Sequence, residues 1–427
     1  MSNRSSRHLT TAKFGYFYAM KSTTFRKGFH SLCVKDPVID GLSSHVPPIY
    51  ATSTFTYENL EAAFDFFKSG GKGDVFTYSR LGNPTVRAVA DKLAAIESYA
   101  VQDENGEPLQ AAALLFSSGM AAISAAITSC VKSGDKILTQ GNLYGTTNEL
   151  LISILRDFGV ETIFADLKDV RLVEEALIND EQIKLLYIET PANPTLQCFD
   201  LQALADIARK LNVKTIVDNT FMSPYFQQPL QYGVDIVVHS STKFLNGHGT
   251  GTSGVVVGRD AEFIRKRVYS IQKMTGGICS PFEAFLLNNG LKTLPLRMEQ
   301  HQRNAMQLAQ FLQAHPAVAK VNYLGLEQHA DHALAKRQQH GYGGMLSFEL
   351  KGGLDAGMQF MRGIAFCTLT ASLGTADTLV THPASTSHVN VPKEQRLQHQ
   401  ITDGLIRVSV GLENIEDIIA DFAQALG

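Results

Sequence analysis

Lys243 closes the run Val238-His239-Ser240-Ser241-Thr242-Lys243, which continues the apolar stretch Ile236–Val238. A lysine at the end of a core strand is unusual, because burying an ammonium costs several kcal/mol unless it is paired or neutralised. One chemical use of such an amine is condensation with an aldehyde to a Schiff base. Ser240 and Thr242, two residues apart, would then donate hydrogen bonds to a phosphate. The hexapeptide alone equally admits a lysine that snorkels from a strand end into water. Asp218 ends a second apolar run, Thr215-Ile216-Val217, and so also falls at a strand's carboxyl end, where parallel sheets bind ligands. A carboxylate there suits the pyridine nitrogen of pyridoxal 5'-phosphate (PLP), because a protonated ring is a stronger electron sink. The other reading of Asp218 is a cap on the following loop.

Ser117-Ser118-Gly119-Met120-Ala121-Ala122-Ile123 carries an apolar run through a small-residue turn into a helical pattern. A helix start offers free N–H groups and a positive dipole end to a phosphate, and glycine permits close approach. Neither G-x-x-x-x-G-K-[ST] nor G-x-G-x-x-G is present there, which argues against a nucleotide. Tyr144, in Asn142-Leu143-Tyr144-Gly145-Thr146, has the chemistry to stack on a planar ring or to act as an acid–base. Arg407 stands alone inside the strand-like Leu405–Val410, either to grip a carboxylate with its fork or to form an edge ion pair. His329, His332, His382 and His388 have no third ligand at helpful spacing, so no metal is expected.

These groups need a scaffold. The apolar runs Ala111–Phe116, Leu185–Ile188, Thr215–Val217 and Ile236–Val238 are mostly separated by helical patterns such as Asp200–Leu211. That alternation predicts an α/β fold whose largely parallel sheet is covered on both faces. Thr85–Ser98 spaces its apolar residues as an amphipathic helix, Val101–Gln110 reads as a loop or hairpin, and Ser253–Gly258 adds a strand. Ser280-Pro281-Phe282-Glu283 has the form of a capping box opening a helix. Beyond it come a helical stretch through Phe311, a strand at Gly344–Leu350 and a last helix through Phe422. The expected division is an N-terminal arm (1–76), a cofactor-binding domain (77–280) and a smaller α+β C-terminal domain (281–427).

The 427 residues carry a net charge of −3, with 44% hydrophobic and 19% charged residues. That balance suits large buried cores and gives no support for nucleic-acid or anionic-membrane partners. No apolar run reaches membrane-spanning length. The five cysteines are scattered without a C-x-x-C, so neither a disulfide framework nor a zinc knuckle is expected, and a reducing, cytoplasmic setting is. Residues 1–35 contain basic residues, Ser and Thr but no acid. They read as an organelle transit peptide, a solvated and disordered arm, or an extension upstream of a true start at Met20.

Together the motifs resemble the Cys/Met-metabolism (trans-sulfuration) family of PLP enzymes, which includes methionine γ-lyases, cystathionine γ-lyases, cystathionine γ-synthases and O-acetylhomoserine sulfhydrylases. The matching segments are Tyr78–Thr85, Ser118–Ile123, Glu189-Thr190-Pro191-Ala192-Asn193-Pro194, Val217–Thr220, His239–Lys243 and Ser372-Leu373-Gly374. The resemblance covers about residues 40–427 and implies the aspartate-aminotransferase-like (type I) fold. It implies that Lys243 carries PLP as a Schiff base, that Asp218 pairs with its ring nitrogen, and that Gly119, Met120, Ser240 and Thr242 hold its phosphate. Tyr144 would stack on the ring, while Asn193, Ser372 and Arg407 would serve the substrate's carboxylate. Tyr78 and Arg80 would reach in from a neighbouring subunit of a dimer of dimers. If that segment is extended, the two side chains share a face.

Within the family the chain leans towards the methionine γ-lyases at 218–247 and 275–299. It departs from them at Thr146, where they commonly have Cys, and at Thr250, where they have Asp. Ala371 stands where many cystathionine-handling enzymes have Glu. The expected activity is a carbon–sulfur lyase reaction: γ-elimination on a sulfur amino acid of the methionine, cystathionine or homocysteine class, giving a 2-oxo acid, ammonia and a thiol. Lys243 would move the Cα and Cβ protons and Tyr144 would protonate the leaving group. γ-Replacement on an activated homoserine is the alternative, and PLP binding without catalysis the rival from another class.

Overall fold

Val- and Ile-rich runs that are buried on both faces build a seven-stranded sheet in a computed structural model, which describes residues 27–36, 44–68, 76–386, 389, 393–398 and 400–427. In spatial order the strands are β1 (Ala112–Phe116), β7 (Gly254–Gly258), β6 (Ile236–His239), β5 (Lys214–Asp218), β4 (Ile183–Glu189), β2 (Lys136–Thr139) and β3 (Glu161–Phe164). Only β7 is antiparallel to its neighbours. The expected parallel sheet is therefore present, and the carboxyl ends of β4, β5 and β6 lie side by side. In register, Asp218 opposes Glu189 on one side and Val238 on the other.

Several helices begin where a side chain supplies a cap. Asn83 accepts from the Thr85 N–H and Pro84 opens helix Pro84–Glu97. Ser118 accepts from the Ala121 N–H at the start of helix Gly119–Cys130. Only half of the expected capping box forms at Ser280. The serine caps Phe282 and Glu283, but the Glu283 carboxylate accepts from the Thr252 N–H instead of turning back.

A second core surrounds a five-stranded sheet, in the order β10 (Thr368–Leu369), β11 (Leu379–Thr381), β12 (Leu405–Ser409), β9 (Met345–Leu350) and β8 (Val318–Asn322). Phe348, Phe360 and Phe422 pack there with centroids 5.3–6.1 Å apart. The chain enters this core later than the expected 280/281 division. Helix Pro281–Lys292 still buries Ala284, Leu287 and Leu291 in the first core. The 21-residue helix Leu294–Ala314 then passes from Met298 in the first core to Ala305, Leu308 and Leu312 in the second. One rigid rod serves both.

Residues 1–26, including Met20, and His388 lie outside the described residues. Residues 27–36 dock on the rest of the chain, which corrects the disordered reading of 1–35 at its end. Helix Phe29–Val34 buries Cys33, and Asp36 bridges to Lys92 at 3.3 Å and Lys292 at 2.7 Å. Lys92 is 1% exposed, so its charge needs that carboxylate.

Candidate active site

The turn after β1 delivers two unused donors. Among the described residues the Gly119 and Met120 N–H groups have no acceptor, because Ser118 takes the next two N–H groups. A Cβ on Gly119 would stand 2.7 Å from the Cβ of Ser240, so only glycine lets the two loops meet. Ser240 is oriented by its own N–H, which donates to Thr220 Oγ1 at 2.9 Å. Thr242 is more committed than expected. Its hydroxyl donates to the Ser253 carbonyl at 3.2 Å and accepts from the Ser253 N–H. It must turn from that carbonyl to reach an anion.

Asp218 is buried at the end of β5. Its Oδ1 accepts from the Thr220 N–H and hydroxyl, at 3.0 and 2.6 Å, while Oδ2 has no hydrogen-bond partner among the described residues. Burial drives its carboxyl up, against the pull of those bonds and of His239. Such a group is stabilised as an anion by a cationic N–H facing Oδ2. Lys243 follows β6 on a tight turn and donates from Nζ to Ser372 Oγ at 3.3 Å. Burial, then the charge of Arg407, lower its pKa and bias it towards the free amine. Gly374 makes this approach possible. It has φ +76°, and a Cβ there would meet Phe244 N at 2.6 Å.

Arg407 reaches the site from the centre of the second sheet. Its Nη1 donates to Asn193 Oδ1 at 3.2 Å, and its Nη2 to the Ala371 and Ser372 carbonyls at 3.1 and 2.9 Å. No carboxylate bridges to it among the described residues, and burial lowers its pKa to about 10. It is a buried cation in want of an anion. Tyr144, 47% exposed, precedes the helix Gly145–Glu149 without a side-chain capping bond and lies close enough to Arg407 to influence its charge. Glu189, at the start of Glu189–Pro194, is a site residue that sequence reasoning misses. Its Oε2 accepts from the Tyr144 N–H at 2.9 Å and its Oε1 from the Asn193 N–H at 3.0 Å.

Tyr78 and Arg80 are not brought to this cradle within the chain. Arg80 Nη1 donates to the Lys273 carbonyl at 2.8 Å, and its guanidinium lies 5.5 Å from the Tyr78 ring centre. The segment is a turn rather than an extended strand, since the Leu81 and Gly82 N–H groups both return to the Tyr78 carbonyl. The two side chains still meet, through the turn. Among the described residues no three His, Cys, Asp or Glu side chains are grouped to hold a metal. A cavity of about 440 Å³ beside Lys168, His329 and Asp331 contains none of the expected site residues.

The model of the "Cys/Met metabolism PLP-dependent enzyme" family matches residues 33–427. The chain belongs to that family. It is 45% identical to an L-methionine gamma-lyase of Fusobacterium nucleatum over 89% of this chain and 92% of that one. It is 41% identical to a cystathionine gamma-lyase of Bacillus subtilis over 89% of this chain and 93% of the other. A solved cystathionine gamma synthase from Xanthomonas oryzae, in complex with aminoacrylate and cysteine, superposes with TM-score 0.85 at 36% identity, covering 94% of this chain and 98% of that chain. The fold is thus the α/β, type I fold of trans-sulfuration PLP enzymes, and the protein is a PLP-dependent enzyme. The residues present fit that cofactor on their own geometry. Two unpaired N–H groups beside a glycine-only contact suit a phosphate. A buried carboxylate with one idle oxygen suits a protonated ring nitrogen, and a desolvated amine suits an aldehyde.

Proposed function

We propose that this enzyme catalyses γ-elimination on a sulfur amino acid, releasing a thiol and yielding a 2-oxo acid and ammonia. The observation that carries the reading is the meeting of a desolvated Lys243 amine with Ser372 and, through the same loop, with the uncompensated guanidinium of Arg407. An amino-acid carboxylate would satisfy that guanidinium through a two-pronged contact and bring Cα near the amine. The relatives' names, L-methionine gamma-lyase and cystathionine gamma-lyase, support the same class.

Gly119, Met120, Ser240 and Thr242 would hold the PLP phosphate, Tyr144 would cover the ring, Asp218 would face its nitrogen and Lys243 would bind its aldehyde. Bound there, PLP supplies an electron sink for negative charge at the substrate's Cα. Lys243 Nζ would accept the Cα proton, hand it on away from Cα so that the amine is free again, and then accept a Cβ proton, a task for which its lowered pKa suits it. Tyr144 Oη gives a proton to the departing sulfur. Asn193 braces Arg407, and Ser372 braces Lys243. Lys243→Ala is expected to abolish 2-oxo acid formation while still binding PLP, as read by cofactor retention after gel filtration. Appreciable product from that variant contradicts the assignment.

Tyr78 and Arg80 complete the phosphate site from a second copy of the chain in this reading, which makes the enzyme a homo-oligomer. The five cysteines are unpaired, in keeping with work in the cytoplasm.

γ-Replacement is the second reading; the exposed Thr146 beside Tyr144, and Thr250, which donates to Asn246 Oδ1 at 3.2 Å, depart from the methionine γ-lyase pattern and weigh against methionine as the substrate. Ala371 offers Arg407 only a backbone carbonyl and no acid, which favours elimination. Comparing kcat/KM for methionine, cystathionine, homocysteine and O-acetylhomoserine, the last with and without sulfide, separates the two. O-acetylhomoserine with sulfide outrunning every elimination would establish replacement.

A further inference from the structure

We propose that Glu189 is a positioning residue whose ionised carboxylate clamps the Tyr144 loop to the Asn193 loop, so that the acid–base side of the site and its carboxylate-gripping side are set together. The inference rests on the roles given above to Tyr144, Asn193 and Arg407.

The geometry is that of a two-jawed anchor. Glu189 ends β4, and its own backbone is fixed on both sides by Gln140, which accepts from the Glu189 N–H at 3.1 Å and donates to its carbonyl at 2.6 Å. From that fixed point one oxygen accepts from the Tyr144 N–H and the other from the Asn193 N–H. Tyr144 lies on the chain after β2, and Asn193 on the chain after β4. Asn193 in turn braces Arg407 at 3.2 Å. One carboxylate therefore links three groups from two cores.

Two backbone donors require two acceptors, and only the carboxylate anion supplies both without conflict. A protonated acid must aim its O–H elsewhere, and an amide sets an NH₂ against one of the N–H groups. The surroundings oppose the anion. Glu189 is 6% exposed and stands in register beside Asp218 on β5. Burial, then the Asp218 charge, push its carboxyl up to about 8, against the two N–H bonds. Tyr187 on its own strand also faces it, a buried phenol raised far beyond the working range. Next beyond Asp218 is His239 on β6, which acts on Asp218. The clamp is thus held closed by its two donors and loosened by protons.

Protonation opens it as the pH falls, so the advantage of wild type over a variant without the clamp must grow with pH. Glu189→Gln keeps the size and supplies one acceptor to two donors. The ratio of wild-type to Glu189→Gln kcat/KM cancels the ionisation of the substrate and of Lys243. It is expected to rise roughly tenfold between pH 6 and pH 9, mostly through KM. Glu189→Asp keeps the charge and is expected to retain part of the pH dependence, which keeps the test open where the glutamine variant folds poorly. A ratio that is flat with pH, or an aspartate variant without pH dependence, overturns the clamp. PLP retention is measured alongside. A wild type that binds no PLP overturns the functional reading beneath it, whereas normal retention with a flat ratio overturns the clamp alone.

Discussion

Arg407 is the residue whose surroundings say most about the substrate the site would take. Among the described residues the partners of its Nη1 and Nη2 are all neutral oxygens, from Asn193, Ala371, Ser372 and Thr381, and none is an acid. A fork fixed this way presents a planar pair of N–H groups that a lysine cannot copy. Arg407→Lys should raise KM for an amino-acid substrate roughly ten- to a hundredfold, with kcat changing far less, the loss expected for one charge-assisted contact. An unchanged KM with a collapsed kcat would assign Arg407 to chemistry instead. Lys243 and Asp218 were legible in the sequence because a charged group ending an apolar run is itself the signal. Glu189 was not, although it also ends such a run. Its task is to accept two backbone N–H groups from distant loops, and backbone donors leave no trace in residue types. The commitment of Thr242 to Ser253 was hidden for the same reason.

At the scale of elements, the strands buried on both faces were readable as continuous apolar runs, and β1, β4, β5, β6 and β7 lie where those runs stand. β2, β3 and β8 were missed. Each is short and carries charged residues, with Lys136 in β2, Glu161 in β3 and Lys320 in β8, because β3 and β8 are edge strands and β2 starts at the surface. The docking of helix Phe29–Val34 was also illegible, since nothing near it announces that Asp36 will meet a lysine 56 positions away. That contact is strong in its consequences. Lys92 keeps one neutral partner, Asn288 Oδ1 at 3.0 Å, and depends on Asp36 for charge. Asp36→Ala should lower the unfolding free energy by about 3 kcal/mol, measured by denaturant titration, because it strands a buried ammonium. Adding Lys92→Met should recover much of that loss. Failure of the double variant to recover would show that the helix, not the ion pair, holds the segment.

At the scale of the whole molecule, the proposal that two copies of the chain share the site can be tested by mixing subunits. Arg80 is held on Lys273, away from the cradle of its own chain. Arg80→Ala and Lys243→Ala subunits, each inactive, should on mixing regain up to about a quarter of wild-type activity if hybrids form randomly and the residues act across an isologous interface. Hybrids shown to have assembled but lacking activity would return Arg80 to its own subunit's site. The helix Leu294–Ala314 sets a different kind of limit. At about 1.5 Å per residue it is roughly 30 Å long, and its middle grips the chain just after Arg407. His301 Nδ1 donates to the Val410 carbonyl at 2.6 Å, and Asn304 Nδ2 donates to the Gly411 and Glu413 carbonyls at 3.0 and 2.9 Å. The strand that carries Arg407 is accordingly held in place by a beam whose gripping residues are not among the expected site groups. Selection for longer or shorter substrates can then act on His301 and Asn304, changing what fits while leaving every reacting group as it is.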